Sequence, residues 1–332
     1  MRRSHEVEAN EGQHNDERTV ITQTVSDMKS SLPLISIVTP CLNGRRFIEE
    51  AIQSVLDQGY PRIEHIIVDG GSTDGTLDVV GKYPHLRVIS EPDRGLYDAL
   101  NKGVRLSSGD IIGHLNCDDL YEKLMFGQIA EKFMAMPAAD AVCGGVEVFE
   151  HGSRGEKRII GQYMGPKDLE LSFENVTIGP AMTNARFFRK RVYEKIGLYE
   201  TRFRIAADRE FLIRATLAGI ESVGIPRVLY HYRAHSGSLT FSHNSPHRLR
   251  MLNEYLEIAE EHIRTNSQRE PVEPFCRKWH ARTTAEAALR ALRERNYTLA
   301  LSYARRGREY KPSWSVTFMA ILLRRITTGK SH

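Results

Sequence analysis

The residues best placed for chemistry follow a short apolar strand. Ile111-Ile112-Gly113-His114-Leu115 runs into Asn116-Cys117-Asp118-Asp119. Open α/β sheets bind ligands at the carboxyl ends of their strands. A hard divalent cation there takes oxygen ligands from a few carboxylates and from phosphate. Asp118 and Asp119 could therefore hold a metal that in turn holds a diphosphate. The same residues could instead cap a helix starting at Tyr121-Glu122-Lys123-Leu124. Upstream, Ser90-Glu91-Pro92-Asp93-Arg94-Gly95-Leu96-Tyr97-Asp98-Ala99-Leu100-Asn101-Lys102-Gly103 brings more polar groups to a loop and the helix after it. Asp98 and Lys102, four apart, read as an exposed ion pair.

These groups need a scaffold. Leu34–Thr39, Ile63–Val68 and Leu86–Ser90 are short, β-branched apolar runs of buried strands. Helical spacing intervenes at Phe47, Ile48, Ala51, Ile52, Val55 and Leu56, near Asp74, and from Tyr97 to Leu106. Strands alternating with helices build βαβ units and a parallel sheet covered on both faces. Chemistry then belongs to the strand-end loops 40–44, 69–72, 93–95 and 116–119.

Composition narrows the class. The 332 residues, 41% hydrophobic and 27% charged, suit a soluble globular chain of one large or two ordinary domains. Cys41, Cys117, Cys143 and Cys276 show no CxxC spacing, which argues against a zinc site or disulfide scaffold and fits a reducing cytoplasm. No run reaches the roughly 20 apolar residues of a membrane span, and residues 1–30 lack the apolar core of a signal peptide. Residues 1–31 are polar and read as a disordered extension, with Met28 as an alternative start. The net charge of +4 is uneven: residues 277–332 carry 13 Lys/Arg against 3 Asp/Glu, so a +10 tail follows a −6 body. Such a tail suggests an anionic surface.

Ser36-Ile37-Val38-Thr39-Pro40-Cys41-Leu42-Asn43, Val68-Asp69-Gly70-Gly71-Ser72-Thr73-Asp74-Gly75-Thr76 and the two segments above, in that order, resemble family 2 glycosyltransferases, in particular those of bacterial colanic acid and exopolysaccharide clusters. The resemblance spans about residues 34–240. It implies a GT-A fold of the α/β class: a mainly parallel central sheet with helices on both faces. Residues 32–241 would form this domain, with 32–120 as the nucleotide-sugar half and 121–241 as the acceptor half. Residues 242–332 would be a helical, basic extension. The implied activity is inverting transfer of a sugar from a nucleotide-diphosphate donor.

Carried onto this sequence, the resemblance puts Thr39 and Pro40 at the nucleotide base, with Asn43 supporting their loop. Asp69 would close the base and ribose pocket, Asp93 would sit beside the nucleotide, and Asp118 would face the ribose. Asp119 would ligate Mg²⁺ or Mn²⁺, and Asn116 would take the outer place of the acidic triplet. Many relatives have a second Asp where Gly70 stands. In Arg204-Ile205-Ala206-Ala207-Asp208-Arg209-Glu210, Asp208 would be the general base that deprotonates the acceptor hydroxyl. A helix-terminal carboxylate is the plainer reading of Asp208, and Glu210 is the alternative base. Lys102, Arg233 and His235 are candidate phosphate contacts.

The remaining chain reads as strands over 139–149 and 181–188, a helix over 189–196 and a strand from Val228 into a polar loop ending near Thr240. Helices follow over 245–266, 272–293, 297–309 and 313–326. Residues 281–312 resemble a single tetratricopeptide repeat, but such repeats need stacked neighbours, which favours a plain helical hairpin packed on the catalytic domain. Trp314, Phe318, Ile321 and Leu322 near Arg324, Arg325 and Lys330 suit an interfacial helix on anionic lipid. The expected partners are thus a nucleotide-sugar donor, a glycan or lipid-linked acceptor and an anionic inner-membrane surface, with no nucleic acid; the oligomeric state stays open. A nucleotidyltransferase would need a Gly- and Lys-rich loop that Pro40–Gly44 does not supply. A non-catalytic protein with a recruiting tail is the other alternative.

Overall fold

The computed structural model of the chain describes residues 31–152, 154–238, 247–265 and 272–328. The disordered extension expected over 1–31 and most of the polar loop after Gly237 lie outside them.

The first half is built as the apolar runs dictate. Strand β1 (Ile35–Cys41) is buried along its whole length, and helix α1 (Ile48–Leu56) covers it with Ile48, Ala51, Ile52 and Val55. There follow β2 (Ile63–Asp69), α2 (Thr76–Val80), β3 (Arg87–Ser90), α3 (Leu96–Leu106) and β4 (Ile111–His114). These four strands are parallel, in the order β3-β2-β1-β4. The order reverses between β1 and β4, and at such a switch point the loops part to leave a crevice.

The second half continues the sheet with both strand directions. It holds β5 (Leu120–Tyr121), α4 (Phe126–Ala135), β6 (Ala141–His151), β7 (Lys157–Tyr163), α5 (Pro166–Leu169), α6 (Phe173–Thr177), β8 (Arg186–Arg189), α7 (Lys190–Ile196), α8 (Ala207–Leu217) and β9 (Ser222–Arg233). β8 joins antiparallel to β4, β6 to β8, and β9 runs parallel to β6. The result is a nine-stranded mixed sheet between layers of helices, with β7 paired to β6 at the side.

Three local expectations are corrected. Residues 121–124 form no helix: Leu120 and Tyr121 pair with His231 and Tyr230, and Leu124 turns the chain at φ 56° before α4. Asp118 and Asp119 are therefore not a helix cap. The strand expected over 181–188 shortens to Arg186–Arg189, because Ala181 sits at φ 47° after Pro180 and breaks the ladder. Lys102 pairs with Glu91 at 2.8 Å, and Asp98 turns to Arg94 instead.

The extension is four helices: α9 (His247–Thr265), α10 (Val272–Arg293), α11 (Tyr297–Tyr310) and α12 (Trp314–Thr328). Ala281, Ala285 and Ala288 let α10 approach its neighbours, and Leu252, Leu256, Tyr303 and Trp314 fill the space. Glu260 ties three helices: it accepts from Arg306 Nε and Nη2 at 2.6 and 3.0 Å and faces His280 Nε2 at 2.9 Å. The apolar stripe expected to meet lipid faces inward instead. Trp314 is buried, donates to Thr284 Oγ1 at 2.8 Å and stacks on Phe318, and Ile321 packs on the same core. The exposed apolar row of α12 is Val316, Met319, Leu323 and Ile326. No helix among the described residues is long and apolar enough to cross a membrane.

Candidate functional site

A cleft of about 720 Å³ opens at the switch point between β1 and β4 and extends under α8. Of the residues singled out from sequence, Pro40, Asp93, Asn116, Asp118 and Asp208 line it. Thr39, Asp69 and Asp119 are buried and do not line it, and Asn43 is exposed outside it.

The back row is held by hydrogen bonds. Thr39 is buried, with Oγ1 2.9 Å from His65 Nε2. Asn43, in the left-handed region at φ 53°, donates its N–H to Ser72 Oγ and accepts Thr73 N–H, which staples the loops after β1 and β2. Asp69 Oδ2 accepts the N–H groups of Gly71 and Ser72 and the Ser90 hydroxyl, and Oδ1 accepts the Ser72 hydroxyl. Burial pushes this carboxyl up, but the hydrogen bonds from Ser72 and Ser90 outweigh it and hold it below the usual range. Asp69 thus shapes the pocket floor rather than lining it. Gly70 leaves room for Asp93: a β-carbon at position 70 would lie 2.6 Å from Asp93 Oδ2. A carboxylate therefore occupies the space beside Gly70, supplied by the loop after β3.

The adjacent carboxylates are divided by β9. Its end pairs with β5, which brings Tyr230, Arg233 and His235 against the 116–119 loop. Asp119 is 1% exposed, and three donors use its oxygens: Tyr230 Oη at 2.6 Å, Arg233 N at 2.8 Å and Asn116 Nδ2 at 3.0 Å. Burial, then the neighbouring Asp118 charge, pushes its carboxyl up to about 8. Asp118 instead points into the cleft with its side chain 29% exposed, and its Oδ2 lies 2.8 Å from His235 Nε2. Of the two carboxylates, Asp118 lines the cleft, while the oxygens of Asp119, the expected metal ligand, are taken up by three protein donors. Arg233, a candidate phosphate contact, is engaged by protein groups. It is buried between the Phe47 and Phe149 rings, donating to Asp118 O and to Glu50.

Asp208, in the first turn of α8, lies at the other end of the cleft. Burial raises its pKa, while the Arg209 charge and hydrogen bonds from Arg209 N–H and Tyr97 act against the rise. The Tyr97 hydroxyl shares its one proton between Asp208 and Ile205 O, the latter at 2.9 Å, fixing the turn before α8 to α3. Glu210 is no alternative base. Both its oxygens accept from Arg214, at 2.7 and 2.8 Å, on a face of α8 outside this cleft.

Several cleft residues carry no sequence signal as site residues. His114 sits between the hydroxyls of Tyr199 at 3.1 Å and Tyr193 at 3.3 Å, and burial lowers its pKa to about 3, so it is a neutral ring. Met251, Tyr255 and Arg282 come from α9 and α10. Their spacing reads only as helix packing, and nothing local tells that the extension folds back over the cleft.

Residues 36–197 match Glycosyl transferase family 2. An uncharacterized glycosyltransferase of Mycobacterium tuberculosis is 33% identical over 210 residues, which is 61% of this chain and 76% of that protein. The PGL/p-HBAD biosynthesis glycosyltransferase of Mycobacterium bovis is 33% identical over 189 residues, 55% and 69% of the two chains. Among solved structures, Staphylococcus aureus TarS 1–349 in complex with UDP-GlcNAc superposes with a TM-score of 0.56 at 16% identity, over 84% of this chain and 92% of that one. The Pyrobaculum calidifontis mannosyltransferase PcManGT, in complex with GDP-Man and Mn²⁺, gives 0.55 at 21% identity, over 88% of each chain. The structural likenesses show the GT-A fold, and the sequence matches show the family: the chain belongs to the family 2 glycosyltransferases.

Proposed function

We propose that this glycosyltransferase inverts the anomeric carbon, depends on a divalent cation, and moves a sugar from a nucleotide-diphosphate donor to a glycan or lipid-linked glycan in cell-surface polysaccharide assembly. One observation carries the reading: Asp118 and Asp208 line the same cleft from the nucleotide half and the acceptor half. Pro40 and Asp93 would hold the nucleoside, with Thr39, Asn43 and Asp69 shaping its loops. The acceptor hydroxyl attacks the anomeric carbon as the nucleoside diphosphate departs from the opposite face. Asp208 accepts the hydroxyl proton, and a single displacement with one carboxylate inverts the configuration. A carboxylate whose pKa is raised toward neutrality is matched to that task.

The donor set suits Mn²⁺ or Mg²⁺. Asp118 lines the cleft, and the His235 imidazole is adjacent to it, Nε2 2.8 Å from Asp118 Oδ2. No cluster of three His, Cys, Asp or Glu side chains that could hold a metal occurs among the described residues. Two protein donors completed by diphosphate oxygens is the usual arrangement for such cations. When bound, the cation would neutralise the departing diphosphate. The +10 tail and the exposed row on α12 support docking on the inner, anionic face of the cytoplasmic membrane.

Thermal-shift titration with UDP, GDP and dTDP plus Mn²⁺ identifies the base, since binding raises apparent stability. Nucleoside diphosphate release from the matching nucleotide sugars then tests transfer. Absence of both a Mn²⁺-dependent shift and any release would overturn the proposal.

A further inference from the structure

The C-terminal helices are not a separate appendage. Glu254 of α9 accepts the N–H groups of Arg204, Ile205 and Ala206 at 3.1, 2.8 and 2.9 Å. These are the three residues immediately before α8, and the helix has no side-chain cap of its own. Orphan N–H groups at a helix start need an acceptor, and here the acceptor comes from the extension. Asp208 is therefore held by a turn clamped from two sides, by Tyr97 of α3 and by Glu254.

At the next residue, Tyr255 packs at a tilt against Trp279 of α10 with ring centroids 5.2 Å apart. The Arg209 guanidinium lies over both rings, at 4.9 and 5.6 Å. Arg209 also donates to the carbonyls of Val176, Thr177 and Gly179, which draws the 176–179 segment to the same spot. So Ile178 of this segment, Pro180 and Met182 just after it, and Met251, Tyr255 and Arg282 from α9 and α10 line the same cleft as Asp208. Sugar hydroxyls need hydrogen-bonding groups, which Thr183, Asn184, Arg209 and Arg282 offer in this cleft; Ile178, Met182, Met251 and Tyr255 add thioether, aliphatic and aromatic surface beside them.

We propose that α9 and α10 complete an aglycone subsite: Met251 and Tyr255, with Ile178 and Met182, take an apolar group attached to the acceptor sugar beside Asp208. The inference rests on the reading of Asp208 as the base. The shared chemistry is an apolar aglycone, and its source is an alkyl chain or an aromatic ring. Each methylene moved from water into such a site contributes about 0.8 kcal/mol. Several buried methylenes therefore separate an alkyl glycoside from a methyl glycoside by well over a factor of about ten in Kd.

The test is binding of methyl, phenyl and n-octyl β-glucosides, the last below its micelle concentration, to the full chain by saturation-transfer NMR and calorimetry. The expected result is at least tenfold tighter binding of the octyl or phenyl compound than of the methyl compound. The preferred arm names the alkyl or aromatic source. Tyr255→Ala and Met251→Ala should each cut that preference, Tyr255→Phe should keep it, and Leu323→Glu on the exposed row of α12 should not touch it. Equal affinity for all three glucosides overturns the inference, and so does a preference that survives Tyr255→Ala or falls with Leu323→Glu. Mn²⁺-dependent nucleotide binding by each variant reports an intact fold. Because the readout needs no turnover, an active Asp208→Asn enzyme would refute the base assignment while leaving this measurement to stand or fall by itself.

Discussion

Asp118→Asn and Asp119→Asn should fail in opposite ways. Asp119 accepts three hydrogen bonds in a site that is 1% exposed. An amide there keeps one acceptor oxygen and turns its NH₂ toward donors, so at least one of Tyr230 Oη, Arg233 N and Asn116 Nδ2 loses its partner. A buried group left unsatisfied costs about 1–3 kcal/mol, and a second weakened bond brings the loss to about 2–4 kcal/mol. For a chain of this size each kcal/mol moves Tm by about 2 °C, so Asp119→Asn should melt about 4–8 °C lower. Asp118 makes one side-chain contact, to His235, and is part-exposed. Its replacement should shift Tm by about 1 °C or less yet abolish the Mn²⁺-dependent part of nucleoside diphosphate binding. Differential scanning fluorimetry and calorimetry with and without Mn²⁺ read the two effects separately. If Asp118→Asn keeps Mn²⁺-dependent binding while Asp119→Asn melts normally and loses it, the reasoning is wrong and Asp119 holds the metal.

Asp208→Asn should lower kcat by about 10²–10⁴-fold with donor affinity unchanged. The wild-type rate should fall as pH drops through the raised pKa of Asp208, because only the ionised form accepts a proton, and this acid limb should vanish in the variant's residual rate. Glu254→Gln should reduce kcat while leaving nucleotide binding intact, and Glu254→Asp should recover part of the loss; unchanged kcat in Glu254→Gln would dissociate the clamp from catalysis. Glu260→Gln should cost about 1–3 kcal/mol at neutral pH. The Glu260 carboxyl is lowered from 4.5 to about 2: burial opposes the shift, and His280 and Arg306 outweigh it. Its stabilisation is thus full above about 4.5 and lost as pH falls toward 2, so the Tm gap between wild type and variant should close over that window. Leu323→Glu with Ile326→Glu should weaken salt-sensitive pelleting with phosphatidylglycerol vesicles and leave neutral vesicles unaffected; undiminished pelleting would remove α12 from the membrane face.

Much of the scaffold was legible because its signals are local. β1, β2 and β4 are apolar runs that end in polar loops, and α3 and the four C-terminal helices follow the 3.6-residue period, so their bounds fall within a few residues of expectation. Asp98 and Lys102 were spaced for an ion pair, but Glu91, folded back by the loop after β3, competes for the lysine. The stripe of Trp314, Phe318 and Ile321 was read as a lipid face for a similar reason. An amphipathic pattern tells that one face is covered, not by what, and the cover is α10. The pairing of the two aspartates was the hardest to read. Residues 116–119 form a tight turn, with Asp119 N–H donating to Asn116 O, and which carboxylate is buried is set by Tyr230 and Arg233, more than a hundred residues downstream.

The same long-range logic changes how the extension should be tested. A chain cut before α9 would lose the basic surface and the exposed apolar row, so its loss of activity on membranes would look like a loss of docking. It would also lose Glu254, and with it the acceptor for three N–H groups at the turn that carries Asp208. Trp279 and Tyr255 would go too, uncovering Arg209 and loosening the 176–179 segment that Arg209 holds. Truncation therefore confounds anchoring with catalysis. Surface substitutions on α12 address the first, because Val316, Met319, Leu323 and Ile326 point away from the core that buries Trp314. Substitutions at Glu254 and Tyr255 address the second, because both lie on α9 where it meets the α8 turn and the cleft wall. A helical tail that supplies a carboxylate to the turn bearing Asp208 and a ring to the cleft wall is structurally part of the cleft, whatever surface its far side meets.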